Sequence, residues 1–499
     1  MMKRYRATFV FVLIVGSMVG LGYGLFGPQK ATAAVLSGLT LAALYFLLGA
    51  GLSLIFGLMD VLNFAHGILF MIGAYIGYTI FGNPRLILNT APLFLALAAG
   101  AAVGGLLAQR IPDPTPRRAG SVARYLRYLL LLLAVAVAVW GVRGFPLRPL
   151  VAFEPTTAGG AVPTALAQEP IPRMLVRLVQ LVLAGLLLGP VLAYWKQEGQ
   201  RTSPWRPVAL GAGLAALAVL LLLGRDVLER FLLGLSVDVR FLLALVTGAA
   251  TGAALGVLLE TSLIRPFYGR VVTQIVLTLG LMFVGAELVK FIWGKEGRPP
   301  MAVPSLFAES CRSPNLIAWL TERCSSIDVL GRAFPTYRLF IIAVGLVILI
   351  GVALLLKYSR LGMIVRAGVQ DSAMVEALGI NVRRVFTTVF ALGSALAALG
   401  GVVAAPFVGV YPEMGGIFQL QAFIAVVIGG MGSYPGTAAG ALVLGLARAL
   451  GDTLVTTGIA LPGMEQALRA SPAVARASTV LIMAIVLLVR PSGIFGRKI

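Results

Sequence analysis

Asp60, Asn63 and His66 follow one another at three-residue intervals within Gly57–Gly77, and His66 is the single histidine of the chain. On a helix this spacing puts a carboxylate, an amide and an imidazole on one face. Asp60 or Asn63 is placed to cap a helix opening at Phe64. Gly67, Gly73 and Gly77 allow close helix approach, the last two at Gly-x-x-x-Gly spacing. Two readings stand: a capped, tightly packed helix with an interfacial histidine, or polar groups lining a path through apolar surroundings, with Asn63, Phe64, His66 and Gly67 beside it.

A second group occupies 357–385. A short helix is expected from Ser372 to Leu378, closed by Gly379, with Arg366 and Asp371 before it and Arg383 and Arg384 after it. Ala373, Met374, Ala377 and Leu378 suit docking into a groove on a partner. The same pattern suits an amphipathic turn on lipid headgroups. A third stretch, Val402 to Gly440, is interrupted by Pro406 and Pro412 and by the turn at Gly429, Gly430, Gly432, Pro435 and Gly436. Broken helices at membrane depth are tolerated against protein or a water-filled path; a helical hairpin with a glycine turn is the simpler account of 429–436.

Glu287 and Lys290 lie three apart, spaced for pairing with each other more than for ion coupling. Cys311 and Cys324 share the connection 294–337, and their pairing would add about 3 kcal/mol by closing a short loop. Two sulfurs with a distant histidine do not make a metal site. No cofactor is expected. The one Gly-Lys pair, Gly294-Lys295, is followed by Glu296, so no phosphate-cradling Gly-Lys-Ser/Thr motif is present. A single histidine without clustered carboxylates leaves little for acid–base catalysis, and the chain reads as a non-enzyme.

The elements that must hold these groups are set by composition. Of 499 residues, 59% are hydrophobic and 12% charged, about half the ~25% charge of soluble domains. Apolar runs of about 20 residues match a hydrocarbon core of about 30 Å. They are expected near 8–26, 33–57, 64–81, 90–108, 128–142, 174–195, 207–224, 240–260, 271–293, 338–356, 386–409, 419–433, 438–456 and 477–489. This is an all-α polytopic membrane protein of about 14 membrane segments. Lys+Arg exceed Asp+Glu by 40 to 19, a formal charge of +21. With the N-terminus inside, basic density is about twofold higher in the inside connections. Orientation therefore explains the charge without nucleic acid, and both termini are expected in the cytoplasm. Ala7–Phe26 reads as an uncleaved span, although a basic start and Ala31-Thr32-Ala33 also resemble a cleaved signal.

Several motifs resemble the permease subunits of branched-chain amino-acid ABC transporters of the Liv type. GLMDVLNFAHGILFMIGAY at 57–75 is similar to that family's first signature, and ETSLIRPFYG at 260–269 to its Glu…Arg-Pro element. SRLGMIVRAGVQDSAMVEALGINVRRV at 359–385 resembles its coupling segment, AVVIGGMGSYPGTAAGALVLGL at 425–446 its late Gly-rich hairpin, and RPSGIFG at 490–496 its ending. The resemblance covers about 31–81 and 240–499. It implies an ABC importer permease fold in the inner membrane, working with a second permease subunit, ATP-binding subunits and a periplasmic substrate-binding protein. By that resemblance Ala373, Ala377, Leu378 and Gly379 receive the ATPase stroke, while Asn63, His66 and Gly67 lie by the translocation route.

The chain departs from the family at 85–235, where about four additional spans are expected. An even number of crossings keeps the orientation of the later spans. The expected divisions are 1–30, an N-terminal span or signal anchor; 31–84, the first part of the core; 85–235, the inserted spans; and 236–499, the remaining core with 357–385. An ion-gradient-driven secondary transporter, a non-transporting scaffold and a permease for urea or short amides are the alternatives.

Overall fold

The computed structural model describes residues 2–59, 61–110, 120–146, 169–194, 205–370, 372–458, 471–490 and 492–496. Its helices, in chain order, are α1 (Met2–Phe26), α2 (Pro28–Met59), α3 (His66–Gly82), α4 (Arg85–Arg110), α5 (Gly120–Val142), α6 (Ile171–Tyr194), α7 (Trp205–Leu223), α8 (Arg225–Leu233) and α9 (Val237–Leu259). They continue with α10 (Val271–Trp293), α11 (Leu316–Glu322), α12 (Thr336–Tyr358), α13 (Arg360–Gln370), α14 (Ser372–Ala377), α15 (Val382–Val408), α16 (Met414–Gly429), α17 (Tyr434–Thr457) and α18 (Pro472–Val489). Among the described residues, ten helices are long and apolar enough to cross a membrane, and four shorter apolar helices accompany them. These are the elements of a polytopic, all-α membrane protein.

The chain forms two compact units, one of Met1–Phe81 with Val237–Ile499 and the other of Gly82–Ser236. The larger unit is built around α2. Its 32 residues are apolar on every side, and a helix without a polar face is stable only when surrounded. Leu44, Leu47, Leu48, Ala50 and Ile55 are fully buried, with α12, α15, α16 and α17 packed against α2. Between α3 and α15, a Cβ on Gly73 would strike the backbone of Ala398, so these axes approach as closely as they do only because that carbon is absent. At the periphery, Val272, Phe283, Val347 and Ile350 are exposed. Such apolar exposure on α10 and α12 suits a lipid environment and not water.

A small sheet interrupts the helices. Strands β1 (Glu309–Ser313), β2 (Cys324–Val329) and β3 (Arg332–Pro335) pair in that order, β1 parallel to β2 and β2 antiparallel to β3. Leu330 and Gly331 form the two-residue turn opposite Val329↔Arg332, both with positive φ, as a tight hairpin requires. Asn315 caps α11 by accepting from the Ala318 N–H at 2.8 Å. No strand was expected here, because the segment is polar and its strands are short.

In the smaller unit α4 packs on α6 and α7. Arg177 holds Glu169 at 2.6–3.0 Å and donates to the Gly141 and Arg143 carbonyls, and Arg85 pairs with Glu229 at 2.7 Å.

Candidate functional site

The chain leaves helical geometry after Met59 and re-enters it at His66. The helix thus opens two residues later than the sequence pattern suggests, because the Asn63 side chain turns back on its own backbone. Its Oδ1 accepts from the Ala65 N–H at 3.1 Å, and its carbonyl accepts from the His66 N–H at 3.3 Å. Such local competition is the habit of asparagine before a helix. Asn63 and His66 therefore do not share a helical face; a non-helical turn separates them. Asp60 lies outside the described residues.

This break is inside the protein. Asn63 and His66 are buried, as are Val61 and Ala65. From α16, Gln419 donates through Nε2 to the Asn63 carbonyl at 3.3 Å, and from α10 the Thr278 hydroxyl reaches the Leu62 carbonyl at 3.4 Å. Gly67 lies against the Gly415 carbonyl and the Gln419 side chain. Phe64 meets Phe423 with ring centroids 5.6 Å apart. His66 reaches α2 at Gly51, where a Cβ would come within 2.6 Å of Nε2 and would also strike the Gly393 carbonyl. Gly51 is thus the gap that admits both the imidazole and the α15 backbone.

Several buried polar atoms in these helices make no standard hydrogen bond to protein: Asn63 Nδ2, both His66 nitrogens, Gln419 Oε1, Ser53 Oγ and Ser394 Oγ. The Leu48 backbone lies alongside the imidazole. Buried polar groups normally find partners, so these donors and acceptors are free to bind water or a polar solute. Sequence reasoning passed over Gln419, Ser53 and Ser394. Their signal was a polar residue within an apolar run.

A second polar knot closes the end of α9. Glu260–Ile264 forms a single π turn, followed by a 3-10 turn at Arg265–Phe267. The wide turn puts Glu260 fully inside. Its carboxylate accepts from Arg265 Nε at 3.0 Å and Nη2 at 2.8 Å, and from the Tyr268 hydroxyl at 2.5 Å. Thr387 of α15 receives Arg265 Nη2 at 2.6 Å, and its hydroxyl lies 2.8 Å from Glu260 and 2.9 Å from the Arg383 carbonyl. One hydroxyl proton serves one of those acceptors at a time. Burial, and after it the Glu260 charge, holds the Tyr268 phenol well above its ordinary range, so it remains a donor. The knot ties the beginning of α15 to the end of α9.

Just before α15 come α13 and α14. Val365 and Val375 are buried, while Met374, Ala377 and Leu378 are exposed. Gly379 has φ +80°, its N–H bonds the Glu376 carbonyl at 2.9 Å, and Ile380 N–H bonds Val375 at 3.3 Å; this left-handed ending stops the helix and turns the chain towards α15. Arg366 donates to the carbonyls of Leu356 and Lys357. It therefore caps the end of α12. Ala373 belongs to α14, and Asp371 lies outside the described residues.

The remaining sequence-marked groups sit elsewhere. Lys290 pairs with Glu287 at 2.9 Å. Pro406 does not break α15, which continues to Val408; the chain turns at Gly409, with φ +74°. Pro406 has no N–H to give the Val402 carbonyl, and the helix ends two residues later. Cys311 and Cys324 are joined in a disulfide, Cα–Cα 4.8 Å, within the sheet segment. The Cys324 carbonyl accepts from Trp319 Nε1 at 3.0 Å and from the Thr336 hydroxyl at 2.9 Å. Among the described residues no three His, Cys, Asp or Glu side chains gather as a metal site.

Residues 206–490 match the family described as branched-chain amino acid transport system, permease component. The chain is 33% identical over 203 residues to the high-affinity branched-chain amino acid transport system permease protein LivH of Salmonella typhimurium, a match covering 40% of this chain and 58% of LivH. It is 34% identical over 161 residues to BraD of Pseudomonas aeruginosa, covering 32% of this chain and 48% of BraD. Over 258 residues it is 28% identical to the fructose import permease protein FruF of Bifidobacterium longum, covering 50% and 64%. The chain thus spans about half the length of the LivH and BraD relatives it matches. No solved structure matches it. With more than half of its residues inside the family match, the chain belongs to the branched-chain amino acid transport system permease family.

Proposed function

We propose that this chain is the membrane permease subunit of an ABC importer that moves branched-chain or related amino acids across the bacterial inner membrane. Separate ATP-binding subunits hydrolyse ATP, a second permease subunit completes the pore, and a periplasmic substrate-binding protein delivers the solute. Surrounding lipid contacts the peripheral helices. In this reading 357–385 and both termini face the cytoplasm, and 294–337 faces the periplasm. Residues 31–84 and 236–499 make the permease core, 85–235 is an insertion, and the chain has no enzymatic step of its own.

The observation that carries the proposal is α14 with its exposed Met374, Ala377 and Leu378, ended by Gly379. Such an apolar tip, with Val375 anchored behind it, suits insertion into a groove of a cytoplasmic subunit. Motion of α14 reaches α15 directly, and α15 meets α2 beside Gly51 and His66. The break around Asn63, His66 and Gly67 then borders the route, its unpaired polar atoms taking the place of water for the solute.

Replacing Met374 and Leu378 together by aspartate tests the coupling role without touching the Arg366 cap. The expected result is loss of ATP-binding protein from the purified complex and loss of leucine uptake, with normal membrane insertion. Unchanged co-purification refutes the coupling assignment. The kinship to FruF gives a second substrate reading, and parallel uptake of leucine and fructose separates the two.

A further inference from the structure

Between the sheet segment and the adjoining ends of α12 and α15 lies a cavity of about 280 Å³. Its walls include Phe307, Ser325, Tyr337, Arg338, Pro406 and Phe407. The aromatic side is rigid: Phe307 stacks on Trp319 at 5.6 Å and meets Tyr337 at 5.7 Å, while the Tyr337 hydroxyl donates to the Val403 carbonyl at 2.9 Å. Arg338 is half-buried. Its guanidinium lies 4.8 Å from the Phe407 ring centroid and 5.8 Å from that of Phe334, and Nη1 is 3.2 Å from the Ser37 hydroxyl. Among the described residues no carboxylate pairs with it, unlike Arg85, Arg177, Arg265 and Arg448, each of which has one.

A cation set among aromatic faces, with one hydroxyl as its hydrogen-bonding partner among the described residues, retains most of its capacity for an anion. Ring faces satisfy charge but not the directional N–H groups, which match the paired oxygens of a carboxylate or a phosphate. Apolar walls with one or two placed polar groups are the usual make-up of a small-molecule site. The apolar walls favour a ligand that carries hydrocarbon.

We propose that this cavity is a reception site for a small aliphatic carboxylate, with Arg338 binding the carboxylate and Phe307, Tyr337 and Phe407 surrounding the hydrocarbon. This rests on the import reading for its role: the site then receives the amino acid on the periplasmic side before it reaches the Asn63–His66 break. The carboxylate chemistry itself stands apart from that role.

The test uses the full chain in phosphatidylcholine nanodiscs. L-leucine, 4-methylpentanoate and 3-methylbutylamine are titrated while tryptophan fluorescence is followed, since Trp319 stacks on a cavity wall. Both carboxylates should bind and the amine should not. Arg338→Gln should weaken carboxylate binding by about ten- to a hundredfold, the usual range for a hydrogen bond to a charged group, and Arg338→Lys should restore part of it. Equal binding of the amine, or undiminished binding by Arg338→Gln, overturns the proposal. If Arg338→Gln does not fold, the three-ligand comparison on the unsubstituted chain decides by itself. A response to added phosphatidylglycerol with none to the carboxylates assigns Arg338 to lipid and also overturns it. Leucine uptake distinguishes the two failures. Uptake without any carboxylate binding removes the site and leaves the import reading; Arg338-dependent carboxylate binding in a chain that supports no amino-acid uptake keeps the site and removes that reading.

Discussion

Replacing Glu260 with glutamine keeps the shape of the side chain and removes its charge, which isolates the worth of the knot between α9 and α15. The carboxylate is wholly buried and receives two donors from Arg265 and one from Tyr268, with a fourth from Thr387 when that hydroxyl is not turned to the Arg383 carbonyl. An amide puts an N–H₂ where a donor already points, so at least one contact becomes donor against donor. Breaking a buried ion pair by removing one partner costs about 3–5 kcal/mol. The Arg265 side chain is 25% exposed, so water can recover part of that loss, and Glu260→Gln should cost about 2–3 kcal/mol. Arg265→Gln strands a charge that is 0% exposed and should cost more, at the upper end of that range. The double variant should cost less than the sum of the two, with a coupling of about 2 kcal/mol, as expected for residues in one network. Thermal unfolding of the purified chain, followed as an apparent midpoint at one scan rate because membrane proteins often unfold irreversibly, gives all four corners of the cycle. Additive losses, or a larger loss for Glu260→Gln than for Arg265→Gln, would show that the knot is not the ion pair described.

Three further outcomes can be checked on the same material. Joint Cys311→Ser and Cys324→Ser substitution should lower the stability of the sheet segment by about 3 kcal/mol in the chain-entropy estimate for a loop of this size, seen as faster proteolysis between 309 and 335 and matched by adding reductant to the unsubstituted chain. Gly73→Leu should force α3 away from Ala398 and reduce the folded yield sharply, since overpacking a close contact costs about 1–3 kcal/mol or more; Gly280→Leu, with nothing near its position, should be tolerated. Because the folded Tyr268 phenol titrates above its ordinary range, its contribution is complete below the unfolded value of about 10 and is lost as pH rises from there towards the folded value. Tyr268→Phe should therefore shallow the fall in thermal midpoint above about pH 10, and an unchanged slope counts against the assignment.

The span pattern needed no tertiary information, because length and apolarity suffice to define a segment that water and lipid sort between them. Every apolar run marked in the sequence corresponds to a described helix, ten long and four short. Composition likewise excluded a soluble domain, and five motifs in order pointed to the permease family on their own. Local conformational preference also reaches as far as Gly379, where the chain needs positive φ.

Other features depend on partners distant in the chain. Asn63 draws its own backbone out of the helix, but Gln419 on α16 and the Gly51 gap on α2 decide where the turn is held. The carboxylate that the π turn buries at Glu260 is completed by Thr387, 127 residues later. Arg366 is one basic residue among several in 357–385 until the end of α12 is seen to receive its guanidinium. Arg338 looks like an ordinary basic residue at a span boundary; only the meeting of α12, α15 and the sheet segment gives it aromatic walls and leaves it without a carboxylate among the described residues. Hydrophobicity acts residue by residue along the chain and so can be read there, whereas pairing, burial of charge and concavity arise from contacts made only after distant segments have packed.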